Sequence, residues 1–158
     1  MKAYCPSLLS GKYLPNKHAH RDVPGGQNVS PPVQWGDVPL GTKSFVLSIT
    51  DRHPSSRGWV HWFVINLPPT LREINENASG DREKMPRGAL EVRNSYGDQG
   101  YGGPSPAKNS GPHDYVIRIR ALSEETIEVG PFSTVDECES QMEGKVLGEG
   151  TVTGIFRR

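Results

Sequence analysis

Residues 88–121 read GALEVRNSYGDQGYGGPSPAKNSGPHDYVIRIRA, and the fold turns on this stretch. Its last part, Tyr115-Val116-Ile117-Arg118-Ile119-Arg120, alternates as a strand with one buried and one polar face does. The part before it carries Gly97, Gly100, Gly102, Gly103, Pro104, Pro106 and Gly111, which break any helix or ladder. A long stiffened loop beside a strand is a common way to build a pocket. Glycines let a ligand approach backbone N–H groups, and successive N–H groups can cradle an anion. His113 and Tyr115 are two apart at the start of the strand, so they share a face.

Outward from this stretch, further strands are expected. Residues 43–50 (KSFVLSIT) are strongly apolar and read as a central strand. Residues 59–67 (WVHWFVINL) are apolar on both faces, so this strand is expected to be buried on both sides. That makes His61 unusual, since a buried histidine needs a partner for each ring nitrogen, as a core residue or a site residue. Weaker strands are read at 12–14, 32–35, 90–94 and 150–157, and a weak helical signal at 70–74. Residues 133–145 make the best helix, with Ser133 or Thr134 as cap and Asp136 and Glu137 in the first turn. Residues 77–81 are expected to be exposed.

Composition narrows the function. The 158 residues suit a single domain, and no internal repeat or linker interrupts them. Lys+Arg and Asp+Glu are 18 each, which argues against bulk nucleic-acid or anionic-membrane binding. No apolar run reaches membrane-spanning length and no signal-peptide core is present, so a cytoplasmic location without stable membrane insertion is expected. Cys5 and Cys138 form no CxxC pair and read as reduced thiols. Glycine and proline together number 32, and with the short β-rich runs this indicates a loop-heavy, mainly β protein.

Two features are decoys. Residues 36–44 (GDVPLGTKS) resemble a P-loop, but one residue too many precedes the lysine and a strand follows instead of a helix. His18 and His20 in KHAHRD have a metal-like spacing and are read as solvated polar residues. The chemistry is expected instead where Asp51, His61, His113 and Tyr115 meet the glycine-rich loop. Such a set makes an oxyanion receptor, the leading reading, in which the carboxylate fixes a histidine tautomer. Two alternatives are a two-histidine, one-carboxylate metal site and a nucleophilic Ser105 served by His113, although no G-x-S-x-G elbow is present.

At these residues the chain resembles the phosphatidylethanolamine-binding protein (PEBP) family, which includes the Raf kinase inhibitor proteins and bacterial and archaeal relatives. The resemblance rests on GGQNVSPP at 25–32 through Trp35, GTKSF at 41–45, WVHW at 59–62, INLP at 65–68, NSYG at 94–97, GYGGP at 100–104, Pro106 and His113-Asp114-Tyr115. It implies a Greek-key antiparallel β-sandwich with one or two short helices, one of them C-terminal. It also implies a non-enzymatic pocket for phosphoryl or carboxylate head groups, formed by Asp51, His61, Gly103, His113 and Tyr115 without metal or cofactor. One departure stands out. The family's Asp-Pro-Asp-Ala-Pro is Asp51-Arg52-His53-Pro54 here; alignment back from Pro54 puts Thr50 at the first acidic position, whereas the need for a carboxylate favours Asp51. The resemblance further implies a homodimer, and a surface role as a kinase or protease inhibitor or scaffold acting through residues 52–57 and 77–84.

Overall fold

The two runs that are apolar on both faces pair with each other. The computed structural model describes residues 1–130 and 132–158. Its elements in chain order are β1 (Lys2–Tyr4), β2 (Val33–Gly36), β3 (Ser44–Asp51), β4 (Val60–Leu67), β5 (Glu73–Ile74), β6 (Leu90–Glu91), β7 (His113–Leu122), α1 (Val135–Met142) and β8 (Val146–Phe156). All strands pair antiparallel, in a sheet ordered β6-β4-β3-β7-β8 and a smaller one ordered β1-β2-β5. The fold is mainly β, with its helix near the C-terminus, as the sequence implies.

The large sheet is covered on both faces, which explains the continuous apolar character of β3 and β4. On one face Phe45, Leu47, Ile49, Trp62, Val64, Ile117 and Ile119 pack against Val33 and Trp35 of β2, Ile74 of β5 and the N-terminal loops. On the other face Val46, Phe63, Ile65 and Leu122 meet Ile127 and two residues of α1, Cys138 and Met142. Helix α1 starts where expected, because the Thr134 hydroxyl accepts from the Glu137 N–H at 3.1 Å. Gly144, at φ +76°, turns the chain into β8.

Several sequence expectations are corrected. Residues 70–74 do not form a helix; Val33 and Gln34 pair with Ile74 and Glu73, and tertiary pairing outweighs a weak local preference. Residues 12–14 are not a strand: Ser10–Lys12 is a 3₁₀ turn, and Tyr13 makes a single bridge to Ile155. Within 77–81, Ala78 is fully buried. Strand β8 begins four residues before 150.

Arg120 of β7 shows why α1 stays on the sheet. It is buried, lies 5.9 Å from the Phe63 ring centre, and donates both guanidinium arms to Glu139 of α1 at 2.7 Å. Those hydrogen bonds hold the Glu139 carboxyl below the usual range. Truncating one member of such a pair strands a buried charge. Glu139→Ala should therefore cost roughly 3 kcal/mol in denaturant unfolding, whereas Glu128→Ala, outside this pair, should change stability by less than about 0.5 kcal/mol.

Candidate functional site

Strand register builds the site. Asp51 ends β3 directly opposite Tyr115 of β7. The Arg52 N–H donates to the Asp114 carbonyl at 2.8 Å, and the Asp51 N–H to the Trp59 carbonyl at 2.9 Å, which closes the β3–β4 connection over this end of the sheet. Within the connection the Asp51 carboxylate accepts the His53 N–H on Oδ1 at 2.8 Å, and the His53 ring accepts the Ser55 N–H to cap the turn Pro54–Ser56. Arg57 completes the reversal with φ +53°.

The other carboxylate oxygen defines the first histidine. Asp51 Oδ2 accepts from His113 Nδ1 at 2.8 Å, with both side chains buried. His113 Nε2 lies 2.8 Å from Ser110 Oγ, and Ser110 Oγ lies 2.6 Å from the Ala107 carbonyl. The His53 ring stacks on His113, centres 3.9 Å apart and planes 8° apart. The arrangement is satisfied with His113 in either protonation state. A neutral ring accepts the Ser110 proton on Nε2; an imidazolium donates Nε2–H while the serine proton turns to Ala107.

The second histidine is held differently. His61 Nδ1 donates to the Gly102 carbonyl at 2.7 Å, and the Gly102 N–H returns a bond to the His61 carbonyl at 2.9 Å. Nδ1 therefore carries the hydrogen and Nε2 keeps a lone pair, with no partner among the described residues. Burial lowers the pKa of this ring below the ordinary histidine value, against the upward pull of the Gly102 carbonyl and of Asp51. Tyr115 stands between the two histidines, with ring centres 5.2 Å from His61 and 6.3 Å from His113. Its hydroxyl is buried and lies near the Asp51 carboxylate without completing a well-aligned hydrogen bond. Burial, then the Asp51 charge, pushes its pKa far above that of a free phenol, so it stays a donor.

These groups line a cavity of about 700 Å³ whose walls include Asp51, Trp59, His61, Tyr96, His113 and Tyr115. Thus Asp51, and not Thr50, holds the histidine, and four of the five site residues expected from the sequence meet in one place. Gly103 does not line it. Its N–H donates to Asn28 Oδ1 at 2.7 Å and its carbonyl accepts from the Tyr96 hydroxyl at 2.7 Å. A side chain there would press a Cβ to 2.1 Å from the His18 carbonyl oxygen, so glycine is demanded by close packing. The expected N–H cradle is likewise absent at residues 101–103: the N–H groups of Tyr101, Gly102 and Gly103 go to Ser79, His61 and Asn28.

Other expectations are revised here. His18 is not solvated; it is fully buried, between Ser7 Oγ at 2.8 Å and the Val29 carbonyl at 2.7 Å. His20 is half-buried and pairs with Asp22 at 2.9 Å. Ser105 does not meet His113 but donates to Asp22 at 3.0 Å. No cluster of three or more metal-ligating side chains converges among the described residues. Sequence reasoning missed Ser110, Tyr96 and the stacking of His53 on His113. The glycine at 97 marks a turn beside Tyr96, but its ring contacts with His20, Trp59 and His61 leave no local signature.

A family model described as "Phosphatidylethanolamine-binding protein" matches residues 6–157. The chain belongs to the phosphatidylethanolamine-binding protein family. Among PEBP-family relatives it is 38% identical over 158 residues to UPF0098 protein YbhB of Escherichia coli K12, covering 99% of each chain. It is 33% identical over 160 residues to a UPF0098 protein of Aquifex aeolicus, covering 100% of this chain and 89% of that one. The crystal structure of E. coli YbcL, described as a new member of the mammalian PEBP family, superposes with a TM-score of 0.91 at 31% identity, covering 99% and 98% of the two chains. A putative PEBP homologue from Chlamydia trachomatis gives 0.82 at 26%, covering 99% and 97%. No helix among the described residues is long and apolar enough to cross a membrane.

The buried histidines of this PEBP domain set its acid sensitivity. Burial lowers the pKa of both His18 and His61 in the folded chain. Unfolding frees both rings to bind protons below their ordinary value of about 6.5, so stability is full above that pH and falls as pH drops beneath it. Thermal melts between pH 7.5 and 5 should show a falling midpoint, with a shallower slope in His18→Gln.

Proposed function

We propose that this protein is a binding protein for a small oxyanion, a phosphoryl or carboxylate group, held between Tyr115 and His61. The observation that carries this reading is the buried Tyr115 hydroxyl, a donor with no well-aligned protein partner, beside His61 Nε2, the nitrogen left over when Nδ1 bonds Gly102. Such groups in one cavity call for a ligand that supplies their missing bonds. The phenol gives a hydrogen bond to an anionic oxygen. His61 Nε2 accepts the proton of a monoprotonated phosphate monoester or a carboxylic acid, or becomes imidazolium beside a fully ionised group. His113, occupied at both nitrogens, shapes the wall with Asp51.

The cavity is much larger than one phosphoryl group. Its apolar walls at Trp59, Tyr96 and Pro106 leave room for the organic part of a ligand. Family membership supports a head group of the phosphoethanolamine kind as one candidate. Overall neutrality fits a focused site rather than a basic surface.

Sulfate tests the reading because its charge is constant from pH 5 to 8. Bound anion favours the imidazolium form of His61, so binding takes up a proton. Calorimetry should show affinity rising as pH falls below neutrality and levelling off beneath the lowered free-state pKa of His61. Tyr115→Phe should weaken binding about tenfold or more, the loss of a charge-assisted hydrogen bond worth about 1.5–3 kcal/mol. The same variant should leave unliganded stability unchanged or slightly higher, because it removes an unpaired buried hydroxyl. Equal sulfate affinity in wild type and Tyr115→Phe would count against this placement.

A further inference from the structure

We infer that Ser110, His113 and Asp51 form an acyl-transfer relay beside the cavity, with Ser110 as the nucleophile toward small carboxylic esters. This goes beyond anion binding, which uses Tyr115 and His61. Three observations carry it. The first is the chain of contacts: Ser110 Oγ to His113 Nε2 at 2.8 Å, and His113 Nδ1 to Asp51 Oδ2 at 2.8 Å. A hydroxyl on a base, with the base oriented by a buried carboxylate, is the geometry that activates a serine. The other carboxylate oxygen is fixed by the His53 N–H, so Asp51 cannot swing away. The His53 ring lies flat on His113 and holds its plane.

The second observation is that Ser110 Oγ has a second partner, the Ala107 carbonyl at 2.6 Å, which accepts the hydroxyl hydrogen bond and fixes Oγ beside His113 Nε2; the hydroxyl turns from Ala107 to Nε2 before its proton is transferred. The third is the backbone around Ser110. Asn109 and Gly111, on either side, both adopt left-handed angles, φ +64° and +83°, which presents the serine on a tight turn. The Gly111 N–H makes no hydrogen bond among the described residues, and a Cβ built at Gly111 meets nothing within 4 Å. The N–H following a nucleophile is a usual oxyanion donor, and the open side gives an ester room to approach. Ala107, three residues before Ser110, lines the neighbouring cavity, which has room for the organic part of a small ester.

The chemistry balances without a co-reactant other than water. Ser110 Oγ attacks the acyl carbon and its proton passes to His113 Nε2. The bond to the alcohol oxygen breaks and that oxygen takes the Nε2 proton, leaving an acyl-serine and the free alcohol. Water, deprotonated by the same nitrogen, then cleaves the acyl–Oγ bond, and Ser110 recovers its proton as the carboxylic acid departs.

The probes are an alkyl fluorophosphonate, read by intact mass and peptide mapping, and p-nitrophenyl acetate. The wild-type protein should label at Ser110 and release p-nitrophenol with a burst. Ser110→Ala, which removes only Oγ, should abolish both, while Ser140→Ala on α1 should retain the wild-type rates. Asp51→Asn should slow labelling on the order of 100-fold and distort a pH–rate profile that in the wild type rises through one ionisation to a plateau. Labelling elsewhere, no labelling of folded protein, or a Ser110→Ala variant that still labels and shows a burst would overturn the relay. Sulfate binding that persists in Ser110→Ala keeps this outcome separate from the anion reading.

Discussion

The buried carboxylate of Asp51 is the constraint on which the cavity depends. A charge taken out of water must be met by well-placed donors or it destabilises the fold. Here one oxygen is met by the His53 N–H and the other by His113. The first bond shapes the turn that follows β3. The second ties that turn to β7, and the register Asp51 opposite Tyr115 does the rest. Without this shared acceptor, the β3–β4 connection would have no reason to bring His53 flat against His113.

A second, independent lock sets the opposite wall. His61 and Gly102 exchange two hydrogen bonds, and Asn28 and Tyr96 hold Gly103 from either side. The glycine-rich loop is thus stapled to the sheet by segments far apart in the chain. The two histidines emerge with different chemistry. His61 has one nitrogen committed and one available, whereas His113 is engaged on both.

Much of this was legible in the sequence. The alternation at 115–120, the two-sided apolar runs of β3 and β4 and the capped helix all rest on local periodicity, which the chain displays directly. His61 stood out because a histidine in a strand apolar on both faces needs a reason, and Asp51, His113 and Tyr115 because they sit at strand ends beside the glycine-rich loop. What was not legible depends on long-range pairing. The reading of 70–74 as helical lost to a strand partner at Val33 and Gln34. Gly103 resembled an anion cradle, but its N–H is taken by a side chain 75 residues away in sequence. His18 looked solvated because nothing nearby reveals that Ser7 and Val29 enclose it. Ser110 lay in a run of turn formers, and only the fold shows that its hydroxyl meets an imidazole.

Side-chain ¹⁵N NMR of the histidines tests the central claim most directly. The protein is titrated with sulfate at pH 6 while the Nε2 and Nδ1 resonances of His61 are followed. The account predicts that His61 Nε2 moves from the unprotonated to the protonated range on saturation, while Nδ1 keeps its hydrogen bond to Gly102. Saturation with the His61 resonances unmoved would contradict it, because the anion would then lie outside the space between His61 and Tyr115.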